Sequence, residues 1–372
     1  MANSPLALAL EIDGDGAHPA AWRRAAHPPT DLQGPARLRT VAENAERAGF
    51  SLITLDDSIL PPGDSPNVTG RIGAIERAAY VAATTSVIGV APVASTTYAE
   101  PFHLASALAS IDHVSAGRAG WVVAADRDPA AARAWGRPAI VGDDAVRREA
   151  FDAVTVARAL WDSWEDDAVI RDVATSRYLD RDRLHYIDFQ GSTYRVKGPA
   201  IVPRPPQGQL VVFAPAGLLP AAAVDVTVVT GPDVASLRAA AARSGSPRTF
   251  AEIEIALDTD TASAAYRVAD LERFGTWPDR ARLRYVGEPA GLVGLLRELA
   301  GVVDGVRLHP LVLDEDLPVL SQFVVPPLAV SRTVARPLPG STLRTTLGLP
   351  RPANQFADTV SETSDLTRGA RR

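Results

Sequence analysis

The chain has 372 residues, 46% hydrophobic and 22% charged, with a net charge of −6. A large buried core is within reach of such a composition, while the acidic balance, with Lys197 the sole lysine, argues against a nucleic-acid or polybasic membrane surface. Cysteine is absent, which excludes disulfides, thiolate nucleophiles, cysteine-ligated zinc and iron–sulfur clusters.

In chain order, the first apolar run, Leu6–Ile12, follows a start with no basic region and is too short for a signal peptide. No stretch approaches the roughly 18 apolar residues of a membrane span, so the expected compartment is cytoplasmic. Seven more short runs follow: Leu52–Leu55, Val87–Val93, Ala119–Ala125, Leu210–Ala214, Val226–Thr230, Ala251–Leu257 and Val306–Val312. Between them lie stripes of helical period, such as Leu38, Val41, Ala42, Ala45 and Ala48, then Val154, Ala157, Leu160 and Trp161, then Leu292, Leu295, Leu296 and Leu299. Strands alternating with longer helices read as parallel βαβ units. Eight of them predict an α/β fold, a (β/α)8 TIM barrel spanning 1–350, with an open doubly wound sheet as the competitor.

Residues of about 165–209, between the fourth helix and the fifth strand, exceed a normal loop. Their aromatic content (Tyr186, Phe189, Tyr194) and Pro203-Arg204-Pro205-Pro206 predict an ordered insertion packed on the barrel. The polar segment 351–372, with no apolar period after about Asn354, reads as a disordered tail.

Gly14-Asp15-Gly16 lacks the third glycine of a dinucleotide motif and reads as a turn. Asn67-Val68-Thr69 matches a glycosylation acceptor without meaning in a cytoplasmic protein. The six histidines show no metal-ligand spacing, so no metal is expected. His113, beside Asp112 at a helix end, reads as structural. In a barrel the C-terminal strand ends carry function. These offer Asp57, Ala94-Ser95-Thr96-Thr97-Tyr98, Ala124-Ala125-Asp126, Ala214-Pro215-Ala216-Gly217 and His309. For Asp57 an N-cap role is the competing reading. So few acid–base groups point to a cofactor that carries its own chemistry, and no catalytic residue is singled out.

Ala94–His103 and Ala109–Trp121 resemble the bacterial luciferase-like, flavin-dependent monooxygenases, in the branch of the nitrilotriacetate, dibenzothiophene-sulfone and pristinamycin-type enzymes. Leu160–Asp167, His185–Phe189, Gly198–Gly208 and Thr342–Pro350 agree in order along the chain. The resemblance implies a (β/α)8 barrel with insertions. It also implies use of O2 and reduced FMN from a separate flavin reductase on a small organic substrate, and a homodimer or a heterodimer with a paralogue.

The flavin-binding positions it implies are Asp57, Val93, Val122, Arg147, Ala216 and Gly217, several of them altered. Val93 stands where the family has a threonine, and Val122 opens a stretch that the family begins with asparagine. Asp143 and Arg147 replace a histidine and a tyrosine. Ala214-Pro215-Ala216-Gly217 replaces a serine and a glycine-led helix start, before a helix shortened around Pro220. Arg147 is either a phosphate clamp or an ion-pair partner of Asp143 or Asp144. The insertion and the loops after strands one and seven would form the substrate pocket, with Ser95 and His309 as substrate candidates. Two alternatives stay open: a non-catalytic paralogue acting as a partner subunit, and a deazaflavin-dependent dehydrogenase.

Overall fold

A computed structural model describes residues 5–60 and 70–357. The Asn67-Val68-Thr69 site and residues 358–372 of the expected tail lie outside the described residues. The apolar runs form β1 (Ala7–Glu11), β2 (Leu52–Leu55), β3 (Gly89–Ser95), β4 (Gly120–Ala124), β5 (Val211–Pro215), β6 (Val226–Val229), β7 (Arg248–Leu257) and β9 (Gly305–Pro310). Each pairs in parallel with the next, and β9 closes on β1 through Ala7 opposite Gly305 and Leu10 opposite Leu308. The eight strands make a closed barrel, as the run count predicted.

A further strand, β8 (Leu283–Gly287), was not expected. It pairs with Ile253–Leu257, the half of β7 that extends beyond β6. Only Leu283 in it is fully buried, so it offers no apolar run to read.

Along each barrel strand alternate side chains face opposite ways. Ala9, Ala91, Val122, Phe213 and Val228 form one inward cluster, while Leu8, Leu10, Val90, Trp121 and Val212 pack outward with the helices. Of the outer helices, α1 (Pro35–Ala48) buries Val41, Ala42, Ala45 and Ala48 and ends at Gly49, whose φ of 98° suits glycine. The remaining helices used below are α2 (Ala74–Thr84), α3 (Pro101–Val114) and α4 (Asp143–Asp162). In α4 the Val154, Ala157, Leu160 and Trp161 stripe is buried, with Trp161 edge-on to Trp121 at 6.4 Å.

The N-terminal end of the barrel is plugged. Leu343, Leu347 and Leu349 join the inward cluster. A Cβ on Gly89 would come within 2.7 Å of Leu343 Cδ1, so glycine at the strand start is what admits the plug. Arg344 fixes it by donating to Asp225 Oδ1 at 3.0 Å and to the Gln209 carbonyl at 2.6 Å.

The insertion is ordered and contains two short antiparallel hairpins, Val169–Asp172 with Arg177–Leu179 and Phe189–Gln190 with Arg195–Val196. Arg204 Nε donates to buried Asp162 at 2.9 Å, and Gln207 Nε2 donates to Asp112 at 2.5 Å and to the Ala119 carbonyl at 2.7 Å. Ala119 precedes β4, so this return leg sits at the plugged end. The insertion lines neither mouth cavity described below. The segment from 351 also packs over its first residues. Arg351 pairs with Asp166 at 2.7 Å, Asn354 Nδ2 donates to the Asp162 carbonyl at 2.8 Å, and Phe356 stacks on His185 at 5.0 Å.

Asp112 at the end of α3 is fully buried, and burial lifts its carboxyl to about 6 against the pull of the Ala119 N–H and Gln207. An acid whose folded pKa lies above its unfolded 3.8 binds its proton more tightly when folded, so stability falls as pH rises through that window. The full difference is about 3 kcal/mol, and about 1 kcal/mol of it falls between roughly pH 5 and 7. Asp112→Asn should remove that slope in denaturation series run at the two pH values; equal slopes in both proteins would refute it. Neighbouring His113 is exposed and holds the Pro203 carbonyl at 3.2 Å, in keeping with a structural role.

Candidate active site

At the C-terminal mouth the barrel lining divides in two. Strands β3 to β6 contribute Val93, Ala124, Pro215 and Val228, whereas β1, β2, β7 and β9 contribute Glu11, Thr54, Glu252, Arg307 and His309. A cavity opens beside each half.

The apolar cavity, about 550 Å³, is lined by Asp57, Val93, Ala94, Ser95, Ala124 and Ala125 among others. Its volume is in the range of small-molecule sites. A strap adjoins it through Ile59 and Trp135. Tyr98 occupies the left-handed region at φ 64°, rare for a bulky side chain, and its hydroxyl accepts from Ile140 N at 3.1 Å. Trp135 Nε1 donates to the Ile59 carbonyl at 3.0 Å, tying the same strap to the loop after β2.

The polar cavity, about 320 Å³, runs over Glu11, Asp13, His18, Arg280, Arg282 and His309. Arg71 lines both. The floor of this side is a buried ion network. Arg307 donates to Glu252 Oε1 at 2.8 Å, to Thr54 Oγ1 at 2.9 Å and to Glu11. Arg282 Nε reaches the other Glu252 oxygen at 2.6 Å. Burial pushes the Glu252 carboxyl up, but the Arg307 charge and the other donors outweigh it and hold it well below the ordinary value.

Gly14-Asp15-Gly16 forms the turn after β1 that the sequence predicted. A Cβ on Gly16, at φ 139°, would meet the Leu311 carbonyl oxygen at 2.3 Å. Asp15, His27 and Asp314 come together behind it, a grouping that spacing along the chain could not reveal, and Arg37 bonds both carboxylates at 3.1 and 3.0 Å.

Residues 17–287 match the luciferase-like monooxygenase family. The chain belongs to that family. It is 35% identical over 207 residues, 55% of its length, to N-acetyl-S-(2-succino)cysteine monooxygenase of Bacillus subtilis (strain 168), and that match spans 47% of the relative. It is 33% identical over 213 residues to one of the chains of the pristinamycin IIA synthase of Streptomyces pristinaespiralis, covering 56% of this chain and 69% of that one. The chain thus spans about half the length of the first of these relatives. In fold it superposes on the crystal structure of riboflavin lyase with modified FMN and riboflavin, with a TM-score of 0.78, 21% identity and coverage of 95% and 98%.

The positions that the luciferase-like resemblance marks for flavin fall in separate places. Asp57 and Val93 line the apolar cavity, as does the substrate candidate Ser95, while the other substrate candidate, His309, lines the polar one. Val122 lies in register with Val93 in the barrel interior. Asp57 is engaged as a cap: its Oδ2 accepts from Ala74 N, the start of α2, at 2.7 Å, and its Oδ1 from Ser58 N at 2.8 Å. Arg147 stands on the surface and bonds Asp144 at 3.0 Å. Ala216 and Gly217 border a different space of about 210 Å³ with Thr227, Ala240 and Arg243.

After β5 the shortened helix expected around Pro220 is not an α-helix at all. Pro220 caps a single three-residue turn, Ala221–Ala223, too short to present an N-terminus. The cavity has the volume for a flavin ring and an apolar wall of Val93, Ala94, Ala124 and Ala125, with Arg71, Glu100, His103 and Asp126 at its edges, but the residues implied for the phosphate do not gather into an anion site. At the start of α4 they are joined by the carboxylates of Asp143 and Asp144, which oppose a phosphate.

Sequence reading missed Glu252, Glu254, Arg307 and His18. The signal was present for three of them, because Glu252, Glu254 and Arg307 interrupt apolar strands at inward positions. His18 carried none, since it sits on the irregular loop after β1.

Proposed function

We propose that the chain is a flavin-dependent monooxygenase that oxygenates a small organic substrate, with reduced flavin supplied by a separate reductase. The apolar cavity at the ends of β2, β3 and β4 carries this reading. Reduced flavin supplies the oxygen-activating chemistry. The chain's own residues limit water beside it: Val93, Ala94 and Ala124 present no polar side-chain atom, and Ile59 and Trp135 line the same space.

FMN is the flavin the family points to. Because the positions implied for its phosphate, Arg147, Ala216 and Gly217, lie outside the apolar cavity, and charge-assisted bonds there would be worth about 1.5–3 kcal/mol each, FMN and riboflavin should bind within about threefold of each other. Arg147→Ala should leave both affinities unchanged. Fluorescence titration with oxidised and reduced FMN, riboflavin and a deazaflavin tests this. Deazaflavin binding without FMN binding would move the chain to a hydride-transfer dehydrogenase.

The absent phosphate cradle favours a second reading, in which the chain is the partner subunit of a catalytic paralogue. The pristinamycin IIA synthase relative is itself one of two synthase chains that this sequence matches. Failure of every flavin to bind at high micromolar concentration, with co-elution beside a full-length paralogue, would establish that reading over the first.

A further inference from the structure

The polar cavity holds more hydrogen-bond donors than its own residues use. His18 is 1% exposed, and its Nδ1 accepts from Ala20 N at 3.0 Å, which places the imidazole proton on Nε2. That Nε2 is buried and makes no close hydrogen bond, with the Gly275 carbonyl on its side, whereas Nε2 of His309, which is 4% exposed, faces Glu252 Oε1 at 3.5 Å. Trp277 holds the His18 ring edge-on at 6.3 Å. Burial keeps both imidazoles below their ordinary pKa, so they line the cavity as neutral rings.

Most acceptors around them are taken. Glu11 is held by Arg307, Thr54 and the N–H groups of Asp13 and Asp56. Asp13 is held by Arg77 at 2.5 Å and Arg71 at 3.3 Å, and Asp15 by His27 and Arg37. Asp56 uses one oxygen on Asp57 N, which leaves its other oxygen as the spare acceptor of the cavity. Arg280 makes no ion pair among the described residues, and Arg282 faces the same space from beside Glu252. Leaving buried donors unmet costs about 1–3 kcal/mol each, and an oxyanion meets several at once.

We propose that this cavity is a carboxylate subsite, in which His18 Nε2–H and the Arg280 and Arg282 guanidinium groups bind the acid group of a small organic acid. As the substrate's handle the subsite rests on the oxygenase reading; as an anion site it does not. The shared wall at Arg71 sets the acid group beside the apolar cavity, so the substrate is an organic acid whose apolar part extends past Arg71 toward that cavity.

The test uses the whole chain, glutarate and its uncharged diamide, with binding followed by calorimetry and by the histidine side-chain NMR signals. Glutarate should bind at least tenfold more tightly than glutaramide and should shift the signals of His18 and His309. His18→Phe and Arg280→Ala should each weaken glutarate at least tenfold, and His18→Gln, which keeps an N–H, should recover most of the loss; thermal melts confirm that the variants fold. Equal binding of acid and diamide, or wild-type affinity in His18→Phe, would overturn the subsite. Parallel flavin titration separates the two readings: flavin binding without glutarate binding removes only the subsite, and glutarate binding without flavin binding removes only the oxygenase.

Discussion

Replacing Arg307 by methionine should cost the fold about 3–5 kcal/mol, the loss typical when one member of a buried ion network is removed and its partners stay charged. Arg307 is 7% exposed and ties Glu11, Thr54 and Glu252 across three strands. Without it Glu11 keeps Thr54 and two backbone N–H groups, and Glu252 keeps Arg282. Two inward carboxylates then face each other in a closed barrel. Chemical denaturation measures the loss. Adding Glu11→Gln to Arg307→Met should return part of it, because one unpaired charge is removed. A loss under about 1 kcal/mol would mean that water, not Arg307, balances the carboxylates.

Acid should act on the same network. Glu252 has a folded pKa depressed below its unfolded 4.5, so its contribution is present above that value and is lost as pH falls through the folded one. Wild type should therefore lose stability below about pH 4 more steeply than Arg307→Met, in which only Arg282 and His309 still depress Glu252.

Ala124→Trp should abolish flavin binding, by at least a hundredfold or about 3 kcal/mol, while leaving the fold intact. Ala124 is half-buried on the wall of the 550 Å³ cavity, which it shares with Val93, and stands in register with Ser95. An indole there occupies the volume that a flat ring would need, and it adds apolar contact to Val93, so the melting temperature should hold. Fluorescence titration reads the loss. Unchanged affinity would place the flavin outside this cavity and would overturn the proposed function's carrying observation. Glutarate binding, if it persists in Ala124→Trp, shows that the two cavities are independent.

The barrel was legible because parallel strands buried on both faces read as continuous apolar runs, and eight of these stood between helical stripes. The ninth strand was not, since Arg284 and Val286 are exposed and its pairing comes only from the overhang of β7. The site was legible in part. Asp57 and Ser95 were marked from strand ends and Val93 from the family resemblance, and the three share one cavity, but the carboxylate of Asp57 proved to be occupied by the start of α2. Arg147 was marked with two readings, and its bond to Asp144 is the surface ion pair.

The sequence by itself determined the barrel, the family, the absence of sulfur chemistry and the thinness of the expected phosphate contacts. These follow from residue types and local period, which are one-dimensional. Tertiary structure alone decided that the barrel mouth has an apolar side and a charged side. It also decided that the return leg of the insertion lies at the plugged end and that His18 and His309, nearly three hundred residues apart, line one cavity. Such facts depend on which way each side chain faces after the sheet closes, and on whether a donor finds its partner. A hydrogen bond is satisfied or left open only by atoms brought together in space.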